Sequence, residues 1–398
     1  MLNADETAVI DVLGEEAPSM LARTESWAAI SSGSSNLRGL ALMAEALAHA
    51  FAPLGEPELV PAQPSEAVGA DGTVRGVKHG AHVRLCVRPE APVRVLLTGH
   101  MDTVYGADHP FKFCRREGHG RLNGPGVADM KGGLSVMLAA LGAIERTSAA
   151  ERLGYEVLIG SDEEVGSPSS APLLAEAAGR AQWGLTYEPS TTPQGAFATP
   201  RWGSGNFAAV VAGRSAHAGR NPEDGRNALL AAADLALRLE ALTGPDCRVN
   251  PARIDGGGPN NVVPATAILR FNIRPRSAAA QAAAQSALVR TVGEVEARRE
   301  VAITLHGRFA RPPKPHDAVQ DRLFALVREA SADLRLPYET RESGGVCDGN
   351  NLAAHGLPVV DTLGVRGGAI HSPAEFLLTE SLVERARLSA LLLLRLAR

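Results

Sequence analysis

Glu163 and Glu164 are adjacent in Ser161-Asp162-Glu163-Glu164-Val165-Gly166, directly after the apolar run Val157-Leu158-Ile159. Two neighbouring carboxylates at the end of a buried strand repel each other and need a cation or a proton beside them. Consecutive side chains point in different directions, so one can bind a metal while the other handles a proton. Other residues suit the same chemistry. His100-Met101-Asp102 follows the apolar segment 93–98. In extended backbone the i, i+2 spacing sets Asp102 on the side of His100. A carboxylate there can hold the second ring nitrogen of a ligating imidazole.

Asp129 lies in the glycine-rich stretch Asn123-Gly124-Pro125-Gly126-Val127-Ala128-Asp129-Met130-Lys131-Gly132-Gly133. It is either the cap of the helix that follows or a metal ligand held where the backbone bends between glycines. The spacing fits neither the dinucleotide fingerprint nor the P-loop. Glu188 ends a strand before Pro189, and His371 sits in the loop 367–376. Taken singly, each is an ordinary turn or loop residue. Together, His100, Asp129, Glu164, Glu188 and His371 all follow strands or lie in glycine-rich loops, where open α/β sheets bind ligands. Two imidazoles and three carboxylates suit zinc, or manganese or cobalt. Five donors exceed one open tetrahedral site and suit two ions sharing a carboxylate.

The elements that must position them are legible as patterns. Leu37, Leu40, Met43 and Leu47 recur at helical spacing over 36–50. Strands are expected at 93–98, 155–160 and 183–187, with an apolar helix over 132–144 between the first two. That alternation predicts an α/β domain with a mostly parallel, mixed sheet flanked by helices. The middle reads differently: strand 206–212, helix 225–242, strands 247–254 and 265–274, helix 277–298 and strand 300–306. This β-α-β-β-α-β order is the α+β ferredoxin-like pattern. After Pro312-Pro313-Lys314-Pro315 a helix over 319–335, a strand over 358–363 and a helix over 379–397 resume the first rhythm. The expected organisation is a catalytic domain of residues 1–199 and 313–398 carrying an inserted domain of residues 200–312.

Bulk properties narrow the function. The 398 residues carry 40 Lys+Arg against 44 Asp+Glu, a net charge of −4, with no basic clusters. Nucleic acid is therefore not an expected partner. The four cysteines are dispersed and form no C-x-x-C pair, so neither a disulfide framework nor a thiolate zinc site is expected. Residues 1–16 are acidic and lack a basic-then-apolar signal pattern, and no membrane span is read. A cytoplasmic protein is the expectation.

The ordered motifs resemble the M20 family of metallopeptidases, which includes deacetylases, desuccinylases, aminoacylases and bacterial glutamate carboxypeptidases. They are Gly-His100-Met-Asp102-Thr-Val, Gly-Pro-Gly-Val-Ala-Asp129-Met-Lys-Gly-Gly, Asp-Glu163-Glu164-Val-Gly-Ser, Tyr-Glu188-Pro-Ser, Ser-Ala-His217-Ala-Gly, Asn261-Val-Val-Pro and His371-Ser-Pro-Ala-Glu-Phe. The resemblance runs from about Ser26 to the C-terminus. It implies two zinc ions per subunit, with cobalt or manganese as substitutes. His100 and Glu188 would bind one, Glu164 and His371 the other, and Asp129 would bridge them before a cis peptide bond.

The resemblance also implies roles for other residues. Glu163 would be the general base toward a metal-bridging hydroxide, and Asp102 would orient His100. His217 would meet the oxyanion from a partner subunit, which implies a homodimer joined through the inserted lid domain. Arg274 would hold a substrate carboxylate, with Asn261 in support; apart from the resemblance, Arg308 in His306-Gly307-Arg308 is read as reaching toward an acidic side chain. Cys347 stands where a small hydroxyl residue is expected. The implied reaction is hydrolysis of a small peptide or N-acyl amino acid, in the glutamate carboxypeptidase manner. An N-deacylase is the alternative, and a metal phosphoesterase or a silent binding protein stands behind it.

Overall fold

Four strands run parallel at the heart of the larger sheet: Leu153–Gly160, Val93–His100, Trp183–Thr186 and Val359–Val360, in that spatial order. His82–Val87 adds antiparallel to Leu153–Gly160, and Glu58–Val60 adds antiparallel to His82–Val87. The computed structural model describes residues 2–398. Both faces of the sheet are covered, so its central strands are apolar throughout. Val95, Leu97, Val157 and Ile159 join one buried cluster with Met43, Leu134 and Leu388. The alternate residues Leu96 and Leu158 join another with Leu174 and Leu352. This period-two division is the strand geometry expected of a filled α/β sandwich.

The central helix Gly132–Ile144 packs against the terminal helix Glu380–Leu396. The stretch Val127–Ile144 is apolar and long enough to span a bilayer by composition, yet 94% of it is buried inside the fold. It is a core segment here. Helix Leu37–Phe51 begins at Asn36, whose side-chain oxygen accepts the Gly39 amide at 3.1 Å. Two N-terminal helices, Ala4–Glu15 and Ala17–Ala28, were not legible from periodicity. The first is docked by a buried Glu6 that pairs with Arg395 and Arg398 at the far end of the chain.

The segment expected as a strand over 358–363 is a ladder for Val359 and Val360 alone. Asp361 then turns to Arg201 and Lys314, each 2.8 Å from its Oδ2.

Strands Cys247–Gly256, Thr266–Pro275, Ser204–Ala212 and Ala302–Arg311 form a separate antiparallel sheet in that order. Numbered along the chain they lie 2-3-1-4, the ferredoxin-like arrangement. Helices Ala228–Glu240 and Ala278–Arg299 pack on it over a core of Val211, Leu235, Leu269, Ile273 and Leu288. Where the chain passes between the two sheets, Arg201 and Lys314 exchange both main-chain hydrogen bonds at 3.0 Å. A short hairpin, Ser65–Val68 with Val74–Val77, reaches the small sheet, where Arg270 donates to Val68 O at 2.7 Å.

Candidate metal centre and active site

Parallel strands end on one edge, and the strands that carry His100, Glu163, Glu164 and Glu188 all end on the same one. His100 is the last residue of its strand. The Glu163–Val165 turn follows Leu153–Gly160. Glu188 lies two residues beyond Trp183–Thr186.

Asp129 arrives from the glycine-rich loop. Gly126 has φ 70°, a left-handed conformation that glycine adopts without penalty, and the Asp129–Met130 peptide is cis as the motif leads one to expect. His371 is carried by a small sheet in which Phe376–Leu378 lies between Gly367–Gly368 and Arg121–Asn123. That pairing brings the His371 loop against the loop of Asp129.

Asp129 faces both imidazoles. Its Oδ1 is 3.1 Å from His100 Nε2, and its Oδ2 is 3.2 Å from His371 Nε2. Glu188 Oε1 is 3.7 Å from His100 Nε2, and Glu164 Oε2 is 3.2 Å from His371 Nε2. Two donors bound to one tetrahedral zinc ion at about 2.1 Å lie roughly 3.4 Å apart. The donor types and their separations therefore suit divalent-cation binding, with candidate donors on both sides of Asp129. Glu163 joins the same cluster, since one of its oxygens lies within 4.8 Å of donor atoms of His100 and Glu188.

Electrostatics describe a cluster that calls for cations. Burial pushes the Glu188 carboxyl up to about 7, with Asp129 adding to the rise. Burial raises Glu163 and Glu164 as well; Arg311 opposes the rise at Glu163, and neighbouring Asp129 adds to it at Glu164. Hydrogen bonds to Asp129 and Glu164 hold the His371 imidazole protonated up to about 11. For His100 burial works against the charged form, but Asp102, Asp129 and Glu188 outweigh it and raise the group. Protons here do what bound cations would do, which is to separate like charges.

Asp102 has more than the expected task. Its main-chain carbonyl is 3.0 Å from His100 Nδ1, closer than its carboxylate oxygen at 3.4 Å. The carboxylate instead accepts the amides of Glu163 and Glu164, both at 3.1 Å, and the Ser34 hydroxyl at 2.6 Å. One buried side chain therefore holds both the imidazole's segment and the turn bearing the carboxylate pair.

The cluster opens into a cavity of about 730 Å³ lined by Glu163, Glu188, Arg201, Arg274, Arg311 and Cys347, among others. Arg274 donates to Asn272 Oδ1 at 2.9 Å and to Gly344 O at 2.7 Å. Burial and the nearby Arg311 and Arg248 lower its pKa, so an arriving carboxylate would relieve an unfavourable charge.

Three expected residues are elsewhere. His217, Asn261 and Arg308 are exposed and do not line this cavity. His217 Nδ1 accepts the amides of Gly219 and Arg220, and its segment bridges to Val262 beside Asn261. Arg308 lies on the small sheet opposite Asn206. The spacing of those residues marks loops and strand positions but carries no information about which surface they reach.

Two residues escaped sequence reasoning. Arg311, 4% exposed, pairs with Glu163 and Asp348. Glu375, part of a quoted motif but given no role, accepts the Ala128 and Asp129 amides at 3.0 and 3.1 Å. Cys347 is buried at the start of helix Asp348–Ala354, and burial raises its thiol well above the ordinary range.

Comparison with known proteins agrees with the geometry. Residues 96–395 match peptidase family M20/M25/M40. The chain is 31% identical to carboxypeptidase G2 of Pseudomonas sp. (strain RS-16) over 315 residues, covering 76% of this chain and 74% of that protein. It is 25% identical to succinyl-diaminopimelate desuccinylase 2 of Shewanella loihica, covering 77% of this chain and 86% of that protein.

Among solved structures, an M20 family metallo-carboxypeptidase from Sulfolobus solfataricus superposes with a TM-score of 0.74. It is 14% identical, covering 95% of this chain and 99% of that one. A tripeptidase from Staphylococcus aureus gives 0.73 at 20% identity, covering 96% and 99%. A cluster of metal donors on the strand-end edge of an α/β sheet, a separate ferredoxin-like sheet, and a family match over most of the chain agree. The chain belongs to peptidase family M20/M25/M40 and is a metallo-hydrolase of C–N bonds.

Proposed function

We propose that the chain is a dinuclear zinc-dependent amide hydrolase that releases a C-terminal amino acid from a small peptide or N-acyl amino acid. The observation that carries this reading is Asp129, whose two oxygens face two different imidazoles. Cobalt or manganese suits the same donors. When bound, the two cations supply polarisation of the scissile carbonyl and acidification of a water.

The protein's own groups do the rest. His100 and Glu188 would hold one cation and Glu164 and His371 the other, with Asp129 available to both donor sets. Glu163 takes the water's proton and returns it to the leaving nitrogen. It suits that task because, among the described carboxylates of the cluster, it alone pairs with a guanidinium and with no imidazole. Asp102 keeps His100 and the Glu163 turn in register. Arg274 offers its guanidinium to the substrate carboxylate, a pairing that favours a planar, forked grip.

Residues 200–312 act as the lid. His217 and Asn261 lie outside the cavity of their own chain, so we assign them to the cavity of a second copy. There His217 donates to the developing oxyanion and Asn261 supports the substrate carboxylate. The exposed Leu230 and Leu237 on the lid helix support self-association. Arg308, also exposed, is kept for an acidic substrate side chain. A cytoplasmic homodimer completes the proposal.

A panel of dipeptides and N-acyl amino acids, assayed with zinc, cobalt or manganese and again after chelation, tests the reading. Metal-dependent release of a C-terminal amino acid is the expected result; no amide hydrolysis with any of the three metals would overturn it. The desuccinylase relative supports a second reading, an N-deacylase, for which N-acyl substrates would be cleaved and dipeptides spared.

A further inference from the structure

The last strand of the lid sheet, Ala302–Arg311, does not keep its register to the end. Arg311 pairs with Ser204 and Phe309 with Gly205, so Ala310 is an extra residue in the ladder. Phe309 packs against the lid core. By strict alternation Arg311 would face the same way, and the extra residue turns it to the opposite side. Its guanidinium thereby enters the catalytic cavity.

There it reaches the Glu163 turn from both ends. Nη1 pairs with Glu163 Oε1. Nη2 donates to Glu163 O at 3.1 Å, to Ser167 Oγ at 2.6 Å and to Asp348 Oδ1 at 3.3 Å. Ser167 in turn donates to Asp348 Oδ1 at 2.5 Å. The planar fork fixes the Glu163 side chain and main chain together, a geometry an ammonium could not reproduce. Two residues further on, Pro313 precedes Lys314, whose main chain is zipped to Arg201 where the chain leaves for the lid. The strand that carries Arg311 is thus continuous with the junction about which the lid is attached.

We propose that Arg311 is a positioning residue that couples the seating of the lid to the orientation of the Glu163 carboxylate. The inference rests on Glu163 carrying the proton in the proposed reaction. Movement of the lid displaces the end of its last strand, and the guanidinium transmits that displacement to one oxygen of Glu163. One oxygen of Glu163 lies within 4.8 Å of donor atoms of His100 and Glu188.

The competing role is charge compensation alone, since Arg311 also separates the buried Glu163 and Asp348. Three variants of the metal-loaded protein distinguish the two: Arg311→Lys, Arg311→Met, and Arg311→Met combined with Asp348→Asn, which restores the charge count. Coupling predicts that Arg311→Lys keeps metal content and KM but loses at least tenfold in kcat. It also predicts that the double variant recovers thermal stability without recovering kcat. Recovery of kcat in the double variant, or kcat within twofold of the parent in Arg311→Lys, overturns the proposal. So does loss of metal from Arg311→Lys, which would make Arg311 a prop of the donor cluster. If Arg311→Met does not fold, the other two decide. Glu163→Gln is measured alongside: if it retains turnover, the proton-carrier reading itself has failed, whatever the Arg311 variants do.

Discussion

Glu375 holds Asp129 by its backbone. Its Oε1 accepts the amides of Ala128 and Asp129, its Oε2 accepts Gly126 at 3.1 Å, and Tyr105 donates its hydroxyl to Oε2 at 2.9 Å. A single carboxylate thus organises the glycine-rich loop that presents Asp129.

Replacing it should loosen that donor. In Glu375→Gln the amide nitrogen would face backbone N–H groups that need an acceptor. Removing a group that orients a metal donor typically lowers affinity roughly 10–100-fold. Competition with a chelator of known affinity, read as metal retained per chain, should show a loss of that order. Unchanged retention would contradict the role given to Glu375.

Glu163→Ala should retain both metals and lose hydrolysis. General acid–base groups contribute roughly 10²–10⁴ in rate. Elemental analysis beside a turnover assay separates the two properties. Near-normal turnover in a metal-loaded variant would remove Glu163 from the proton-transfer role.

Arg274→Ala should raise KM for substrates ending in a free carboxylate and leave kcat nearly unchanged. A hydrogen bond to a charged group is worth about 1.5–3 kcal/mol, which is roughly a 10- to 150-fold change. Substrates amidated at that carboxylate should show little difference between variant and parent. An equal KM rise for both substrate types would argue against a carboxylate grip.

Metal uptake should displace protons and weaken in acid. Without metal, His371 stays protonated up to about 11 and Glu188 up to about 7. The cation must expel the His371 proton throughout the neutral range, and below about 7 the Glu188 proton as well. Apparent affinity therefore falls as pH falls, more steeply below 7. Calorimetry in buffers of different ionisation enthalpy counts the released protons; a count that does not change between pH 6 and 8 would exclude Glu188 as a donor.

Gly133→Ala should destabilise the fold and disturb Glu188. A Cβ at Gly133 would meet Tyr187 O at 2.0 Å, one residue before that donor. Overpacking costs about 1–3 kcal/mol. A lower unfolding temperature with reduced metal content is expected. Full metal content at an unchanged melting temperature would show that the helix can shift freely.

Much of this protein is local and therefore legible in its sequence. The strands ending at His100, before Glu163 and before Glu188 are short, largely continuous apolar runs. Parallel pairing of such strands places their ends, and whatever follows them, on one edge. Helix Gly132–Ile144 and the β-α-β-β-α-β order were equally plain, because each depends on spacing within one segment.

The tertiary structure decided what spacing cannot carry. Arg311 meets Glu163 across 148 residues and Glu375 meets Asp129 across 246, contacts to which no periodicity points. The direction of Arg311 depends on one extra residue in a strand, and an apolar pattern does not mark that residue. His217, Asn261 and Arg308 are likewise left exposed and outside the cavity by the way the inserted segment folds, which their spacing does not show. Side-chain chemistry nominated the metal donors; the packing of distant segments chose the groups that hold them in place.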